Sequence, residues 1–224
     1  SITSEGYTGD TYCTICNQKI SSGKTIAKLT PQTATPGKTI KDKSTNGFYK
    51  VLQDGVSVEF TKPVYKKASV RIPDTIKVNG ITCKVTGISA NAFKNNKSLN
   101  SVTIGRNVTV IGTNAFYGCR NLSRVSGGNA IVKISDKAFA DCSSLTGITF
   151  SGTVRSIGKQ AFYNCKKLRS ITIKTSTLSG KTVGSKAFEG TYKKPTVKVP
   201  ANQMKAYKKL LKARGMSSKA VYRK

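Results

Sequence analysis

The side chains that could support catalysis are few in this chain. There is no histidine, which removes the commonest general base, the Ser-His-Asp and Cys-His couples, and every histidine metal ligand. Only nine acidic residues remain among 224. An enzyme would need Asp136, Asp141 and a lysine to meet in one pocket. We therefore expect no catalytic residues, no cofactor and no enzymatic activity.

A Cys-x-x-Cys pair at Cys13 and Cys16 is half of a zinc ribbon. The sequence contains no second pair and no histidine that could close a tetrahedral site. We expect no metal site unless a partner pair lies outside this chain. Residues 1–30 are interpreted as a fragment of a small cysteine-bearing module.

Short motifs of nucleotide hydrolysis and Ser–Lys catalysis are incomplete. Gly-Lys-Thr occurs at 23–25, 37–39 and 180–182, each time without the earlier glycine of a phosphate-binding loop. Ser-x-x-Lys occurs at 21–24 and 156–159 without the partner motifs of β-lactamases. Neither pattern predicts a reaction.

The charge of the chain is strongly one-sided. It has 39 Lys and Arg against nine Asp and Glu, a formal net charge of +30. Such a balance points to anionic polymers as partners: nucleic acid, cell-wall polyanion, sulfated or sialylated glycan, or an acidic membrane surface. The lysines form no long basic block, so a solvated lysine-rich surface is the alternative. The sequence contains no run of 18 or more apolar residues, so it predicts no transmembrane segment.

One phrase, Ile-x-x-x-Ala-Phe in most copies, recurs five times between Ile88 and Gly190. Its phenylalanines are spaced by 23, 23, 23 and 26 residues, and a leucine follows each of the first four after six residues. A period of 20 to 29 residues is the signature of a solenoid. We predict that these residues form the structural core: Phe93, Phe116, Phe139, Phe162, Phe188, Leu99, Leu122, Leu145 and Leu168.

Each leucine opens a Leu-x-x-apolar-x-apolar strand, except that Gly127 stands where the last apolar residue of the second copy should be. Strand alternation sends the apolar residues inward and leaves hydroxyl and basic residues on an open face. A hydroxyl ladder suits a glycan or an extended peptide, although threonine also suits exposed strands for its own reasons. The candidate ligand-binding residues are Thr103, Arg124, Ser126, Thr149, Thr172 and Lys174.

Three further cysteines, Cys119, Cys142 and Cys165, form a column at 23-residue spacing. A disulfide needs Cα atoms about 4.4 to 6.8 Å apart. If the Ala-Phe segments are short helical turns, about 10 Å wide, they must splay and separate these cysteines. We therefore predict buried free thiols.

The segments around the repeats have their own signals. Residues 31–47 are rich in Pro, Thr, Gly and Lys and predict a flexible linker. Residues 48–87 predict an N-terminal β cap of two hairpins, turning at 53–55 and at Asn79-Gly80. Residues 88–200 hold about five repeats. Residues 201–224 predict a C-terminal helical cap, with Met204, Tyr207 and Leu211 on one face, and an added edge strand at 220–222.

The phrase Ile-Gly-x-x-Ala-Phe-x-x-Cys-x-x-Leu-x-x-Ile-x-Ile resembles the BspA-like leucine-rich repeat proteins of bacteria. Phe116-Tyr-Gly-Cys-Arg-Asn-Leu122 and Phe162-Tyr-Asn-Cys-Lys-Lys-Leu168 carry its spacing, and the resemblance covers roughly residues 70–200. It implies a β-rich, right-handed leucine-rich repeat solenoid with short parallel strands and short helical turns. Two copies depart from the pattern, with Asn96 and Thr191 in place of the cysteine.

The resemblance also implies a secreted or cell-surface location and a role in binding or adhesion. Partners would be host or microbial surface proteins or glycans, and the family offers no binding motif that could be transferred residue by residue. Two alternatives remain open: an electrostatic binder of cell-wall polyanion or nucleic acid, and a structural spacer that presents other domains.

Overall fold

The computed structural model describes residues 33–224 and four short strands that precede them. The chain divides into two compact units, Ser1–Thr33 and Ala34–Lys224. Cys13 and Cys16 lie outside the described residues. The first unit contains two antiparallel strand pairs, β1 (Gly6–Tyr7) with β4 (Thr25–Ile26) and β2 (Thr11–Tyr12) with β3 (Lys19–Ser21).

The second unit begins with an antiparallel meander of β5 (Thr39–Asp42), β6 (Gly47–Val51) and β7 (Ser57–Pro63). The hairpin predicted around residues 53–55 is confirmed, since β6 and β7 flank it. The flexible linker predicted for 31–47 is wrong over β5. Its polar composition gives no local reason to order, but pairing with β6 supplies backbone hydrogen bonds that the composition does not reveal.

The second predicted hairpin is correct only in its turn. Strands β9 (Thr75–Val78) and β10 (Ile81–Ile88) pair antiparallel across Asn79 and Gly80, whose φ angles are 51° and 84°. Positive φ at both central residues is the requirement of a type I′ turn. Strand β8 (Ser69–Arg71) instead pairs in parallel with a repeat strand. The solenoid ladders therefore begin inside the segment predicted as a separate cap.

Seven strands run side by side along one edge of the molecule, one for each turn of the solenoid. They fall into two parallel sheets. The first sheet contains β8, β11 (Ser101–Ile104) and β13 (Arg124–Gly127). The second contains β15 (Gly147–Phe150), β17 (Ser170–Ile173), β18 (Thr196–Lys198) and β19 (Val221–Arg223).

A second ladder holds the turns together on another side of the solenoid. Strand β10 pairs in parallel with β7 and with β12 (Val110–Ile111), and the ladder continues through β14 (Lys133–Ile134) and β16 (Ser156–Ile157). A bridge between Ile157 and Val183 extends it by one turn. The residue that opens each repeat phrase, an isoleucine in four copies and Val183 in the fifth, is therefore stacked and buried.

The Ala-Phe segments are tight turns, and the helical turns predicted for them are wrong. In the third copy, Lys137 and Asp141 have φ angles of 53° and 58°, and the other copies have positive φ at the same two positions. Between them, alternate N–H groups donate to the next repeat, as Phe139 N does to the carbonyl of Ala161 at 2.8 Å. These bonds form a third ladder, so the turns stack without splaying.

The stacked turns bring the repeat phenylalanines into one column. Neighbouring rings lie nearly parallel with centroids 5.0 to 5.6 Å apart, and Phe60 of β7 heads the column before Phe93. The five phenylalanines and four leucines predicted as core are all buried. The solenoid, of about seven turns, is built around them.

The chain ends with a 3₁₀ turn (Ala201–Gln203), helix α1 (Met204–Ala213) and β19. The helix buries Tyr207 and Leu211, as its predicted apolar face requires, and Met204 is half-buried. The Tyr207 hydroxyl donates to the carbonyl of Thr175 at 2.9 Å and accepts from Leu178 N at 3.1 Å. These contacts tie the helix to the last turns of the solenoid.

Candidate binding site on the open strands

The open face consists of the first and third residues of the seven strands in the two parallel sheets described above. These residues alternate with residues that point inward. The structure places five of the predicted binding residues here: Thr103, Arg124, Ser126, Thr149 and Thr172. Lys174 follows β17 immediately and is exposed. The register sets Thr103 beside Ser126, with 3.2 Å between their hydroxyl oxygens, and Thr149 beside Thr172.

The hydroxyl row is interrupted between Ser126 and Thr149. Strands β13 and β15 belong to different sheets and each is an edge strand there. They are hydrogen-bonded where they begin: Thr146 donates to the carbonyl of Ser123 through its N–H at 3.2 Å and through its hydroxyl at 3.1 Å. We call the gap between β13 and β15 the cleft. The β12–β14–β16 ladder and the phenylalanine column run past it unbroken, so the solenoid opens on one side only.

Two glycines shape one wall of the cleft. Gly127 and Gly128 have φ angles of 77° and 66°. A side chain at Gly127 would collide with the carbonyl oxygen of Ile104, and a Cβ at Gly128 would lie 2.5 Å from Ile131 Cδ1. Glycine is therefore required at Gly127, where the obstacle is backbone, and is favoured at Gly128 by its positive φ. Because Gly127 replaces the inward apolar residue of the other strands, the core lacks one bulky side chain at this level.

A cavity of about 350 Å³ lies inside the cleft, at the level where this side chain is missing. Apolar side chains form its floor, and small polar residues form its mouth. The floor includes Ile111, Ile134, Phe139, Ile148, Phe150 and Val154, and the mouth includes Ser126, Asn129, Thr149 and Ser151. A second depression of about 240 Å³, lined by Arg124, Thr146 and Ser170 among others, adjoins the closed end of the cleft.

Two inward residues beside the cleft are partly exposed. Val102 and Ile171, at the same level of neighbouring strands, are almost fully buried. Val125 and Ile148, their partners in register, are only half-buried because they face the cleft. The open strands therefore present apolar surface at the cleft.

The charges of the open face have one sign. Its charged residues, at the first and third positions of the seven strands described, are Arg71, Arg124, Lys198 and Arg223. Lys174 adds a further cation at the end of β17. An anionic group that approaches the open strands meets no charge of its own sign at these positions.

The acidic residues of the enzyme hypothesis line different depressions. Asp136 accepts a hydrogen bond from Lys159 N at 2.8 Å and lines a depression with Lys133 and Ser156. Asp141 accepts one from Asn164 Nδ2 at 3.1 Å and lies in another depression, beside Tyr117. Both carboxylates link successive repeats.

The cysteine column consists of free, buried thiols, as predicted, but for another reason than splaying. Each thiol donates to a carbonyl of the preceding repeat, as Cys119 Sγ does to Phe93 O at 3.0 Å. Cys142 and Cys165 do the same to Phe116 and Phe139. Burial raises the pKa of Cys119 to about 12 and raises the pKa of the other two thiols as well. These groups are protonated and inert at neutral pH.

Within the described part of the chain, no group of His, Cys, Asp and Glu side chains is arranged to hold a metal ion. The same residues include no helix with the length and apolar character needed to cross a membrane.

The cleft was not predicted from the sequence. The sequence feature that marks the cleft is Gly127, which stands where the other repeats have an apolar residue. The repeat pattern shows this difference but does not predict its structural consequence. A glycine in place of a core side chain indicates either a small neighbour that compensates or a cavity, and only packing decides between them.

A sequence model of the BspA type leucine rich repeat region matches residues 81–213, in six copies. The match covers more than half of the chain and begins at β10, before the first of the five predicted repeats.

Solved structures of similar fold come from several bacteria. The leucine rich repeat protein of T. pallidum is 26% identical with a TM-score of 0.59, and the alignment covers 74% of this chain and 73% of that chain. The pneumococcal vaccine antigen PcpA is 22% identical with a TM-score of 0.56, covering 73% of this chain and 51% of that one. Comparison with curated proteins gives no match.

Proposed function

The chain belongs to the family of BspA type leucine rich repeat proteins, and from this premise we propose that it is a non-enzymatic binding and adhesion module. Its partner would be a host or microbial surface protein or glycan, met outside the cell or at the cell surface. The observation that carries this proposal is the open face, where seven aligned strands present hydroxyl and basic side chains without an acidic one.

The repeat residues have a structural role, since they stack each turn of the solenoid on the next, and this leaves the side chains between them available for binding. The repeat phenylalanines, leucines and cysteines are buried, and the described carboxylates of Asp136 and Asp141 bond to neighbouring repeats. The side chains that remain free to meet a partner lie between these positions, on exposed strands held rigidly by two further ladders.

A binding screen against glycans, matrix proteins and polyanions, at low and high salt, tests the proposal. The adhesion module predicts saturable, salt-tolerant binding to a particular glycan or protein. The double variant Thr149→Glu with Thr172→Glu should abolish it, because both side chains stand on the open face beside each other. Thr82→Glu with Thr113→Glu makes the same charge change at exposed positions elsewhere and should leave binding intact.

A second candidate function, electrostatic binding of anionic polymers, is favoured by the net charge of +30 and the basic open face. It predicts little preference among polyanions and an affinity that falls steeply with salt as counterions are released. Binding to no class of ligand at low salt would contradict both functions and favour the spacer.

A further inference from the structure

We propose that the cleft between β13 and β15 binds an extended, acidic peptide segment and takes one of its bulky apolar side chains into the cavity. The inference rests on the proposed binding function and names the partner chemistry at one place on the open face.

The cavity selects an apolar anchor. Its volume of about 350 Å³ falls within the range of ligand pockets, and its floor consists of aliphatic and aromatic side chains from three consecutive repeats. Val125 and Ile148 remain half-exposed at its entrance, although their neighbours in register are buried. A phenylalanine or leucine side chain entering the cleft would cover them and replace the residue that Gly127 lacks.

The cleft walls select a polypeptide backbone. Strands β13 and β15 are edge strands of separate sheets, and the edges that face each other form no ladder beyond the two bonds from Thr146 to the carbonyl of Ser123. Edge strands present a row of N–H and C=O groups that an extended segment can pair with, while pockets take its alternate side chains. Unlike most sheet edges, this one lies beside an apolar cavity.

The charges select an acidic segment. Arg124 is the charged residue of β13 on the open face, and Arg71, Lys174, Lys198 and Arg223 extend the basic surface to both sides. The mouth of the cavity adds hydroxyl and amide groups at Ser126, Asn129 and Thr149. Acidic side chains flanking the anchor would meet cations and hydrogen-bond donors.

Other occupants use fewer of these features. A glycan would place hydroxyl groups against a floor without polar partners, which is unfavourable. A small apolar molecule would fill the cavity but leave the strand edges and the basic surface unused. The small apolar molecule is kept as an outcome of the test.

Three synthetic peptides test the proposal on the full chain. The first is Ac-Asp-Glu-Thr-Phe-Thr-Glu-Asp-NH₂, the second carries Ala in place of Phe, and the third carries N-methyl groups on both threonines. We expect the Phe peptide to bind at least about tenfold more tightly than the Ala peptide, since burial of a phenyl ring is worth that factor. N-methylation should weaken binding because it removes N–H donors to the strand edges.

Filling the cavity provides the site-specific control. Ile148→Trp should remove the preference for Phe over Ala, and Val125→Phe is a second filling variant in case the first fails to fold. Val132→Trp adds the same indole at an exposed position that does not line the cavity and should keep the preference. Amide chemical-shift changes on peptide addition should centre on Gly127, Gly128, Thr149 and Ser151.

Equal binding of the Phe and Ala peptides would overturn the proposal and reduce the interaction to charge. Equal binding of the N-methylated peptide, with indole alone competing for the site, would overturn it in favour of a small apolar ligand. Neither result bears on the open face as a whole, because the Thr149→Glu and Thr172→Glu double variant tests that function with its own partner. The two failures are therefore distinguishable.

Discussion

At the residue scale, the buried thiols show how the repeat uses a side chain that could have been reactive. Cys119, Cys142 and Cys165 are fully buried and each donates to a phenylalanine carbonyl 26 residues earlier. The thiol thus serves as a small apolar group with one donor. The asparagine or threonine found in other copies can supply a polar contact at the same level, as Thr191 does by donating to Phe188 O.

Cys119 makes stability depend on alkaline pH. Its pKa is about 12 in the folded chain, above the ordinary value of 9.0. The contribution to stability is complete below pH 9 and is lost as the pH rises towards 12, because the unfolded chain then releases a proton that the folded chain keeps. We expect Cys119→Ser to flatten the fall in the free energy of unfolding between pH 9 and 11, by up to about 1.4 kcal/mol per pH unit.

Urea titrations at several pH values measure this slope. Comparing the wild type with the variant cancels the lysine and tyrosine titrations that both share. Ser143→Ala, a change at a neighbouring repeat position without a thiol, should leave the slope as in the wild type. Parallel curves for wild type and Cys119→Ser would contradict the role of the buried thiol.

At the element scale, the Ala-Phe turns differ from the helical turns that the sequence predicts. The residue pattern around Ala-Phe is compatible with one helical turn, but the pattern does not reveal whether the backbone φ angles are negative or positive. Asparagines at Asn91, Asn95, Asn114 and Asn164 were a usable signal, since asparagine tolerates the left-handed region better than most residues. The remaining conformational cost is offset by hydrogen bonds, because alternate N–H groups of each turn donate to carbonyls of the next repeat.

Lys137 should show this directly, because it has a φ of 53° and an exposed side chain. We expect Lys137→Gly to raise the free energy of unfolding by about 1 kcal/mol, as it relieves the left-handed strain of an L-residue. Lys133→Gly, four residues earlier in β14, should lower it by about 1 kcal/mol. Urea unfolding of both variants gives the comparison. A loss of stability in both would mean that the turn is unstrained.

At the scale of the whole molecule, the excess of positive charge acts in two opposite directions. With 39 basic and nine acidic residues, self-repulsion destabilises the folded chain at low ionic strength. The same charges attract anionic partners. Salt screens both effects, because the Debye length falls from about 30 Å at 0.01 M to about 10 Å at 0.1 M.

We therefore expect the melting temperature to rise as sodium chloride increases from 0.01 to 0.3 M, while affinity for a polyanion falls over the same range. Thermal unfolding by circular dichroism and a titration with heparin measure the two trends. Sucrose at matched osmolality, which screens no charge, separates screening from a general solute effect. A melting temperature that falls with salt would contradict this expectation. It would show that ion pairs of the acidic residues stabilise the fold more than repulsion between the basic residues destabilises it.

The sequence by itself determined the scaffold: the repeat period, the phenylalanine and leucine core, the first hairpin and the C-terminal helix. The core and the helix follow from periodicity, which determines which side chains point inward, and the hairpin follows from the Asp54-Gly55 turn. The strand at Thr39–Asp42, the pairing of β8 with β11, and the cleft were decided by tertiary structure alone. Whether two neighbouring strands pair, or separate around a missing side chain, depends on packing between residues 23 positions apart. At Gly127, that packing converts a gap in the pattern into a cavity.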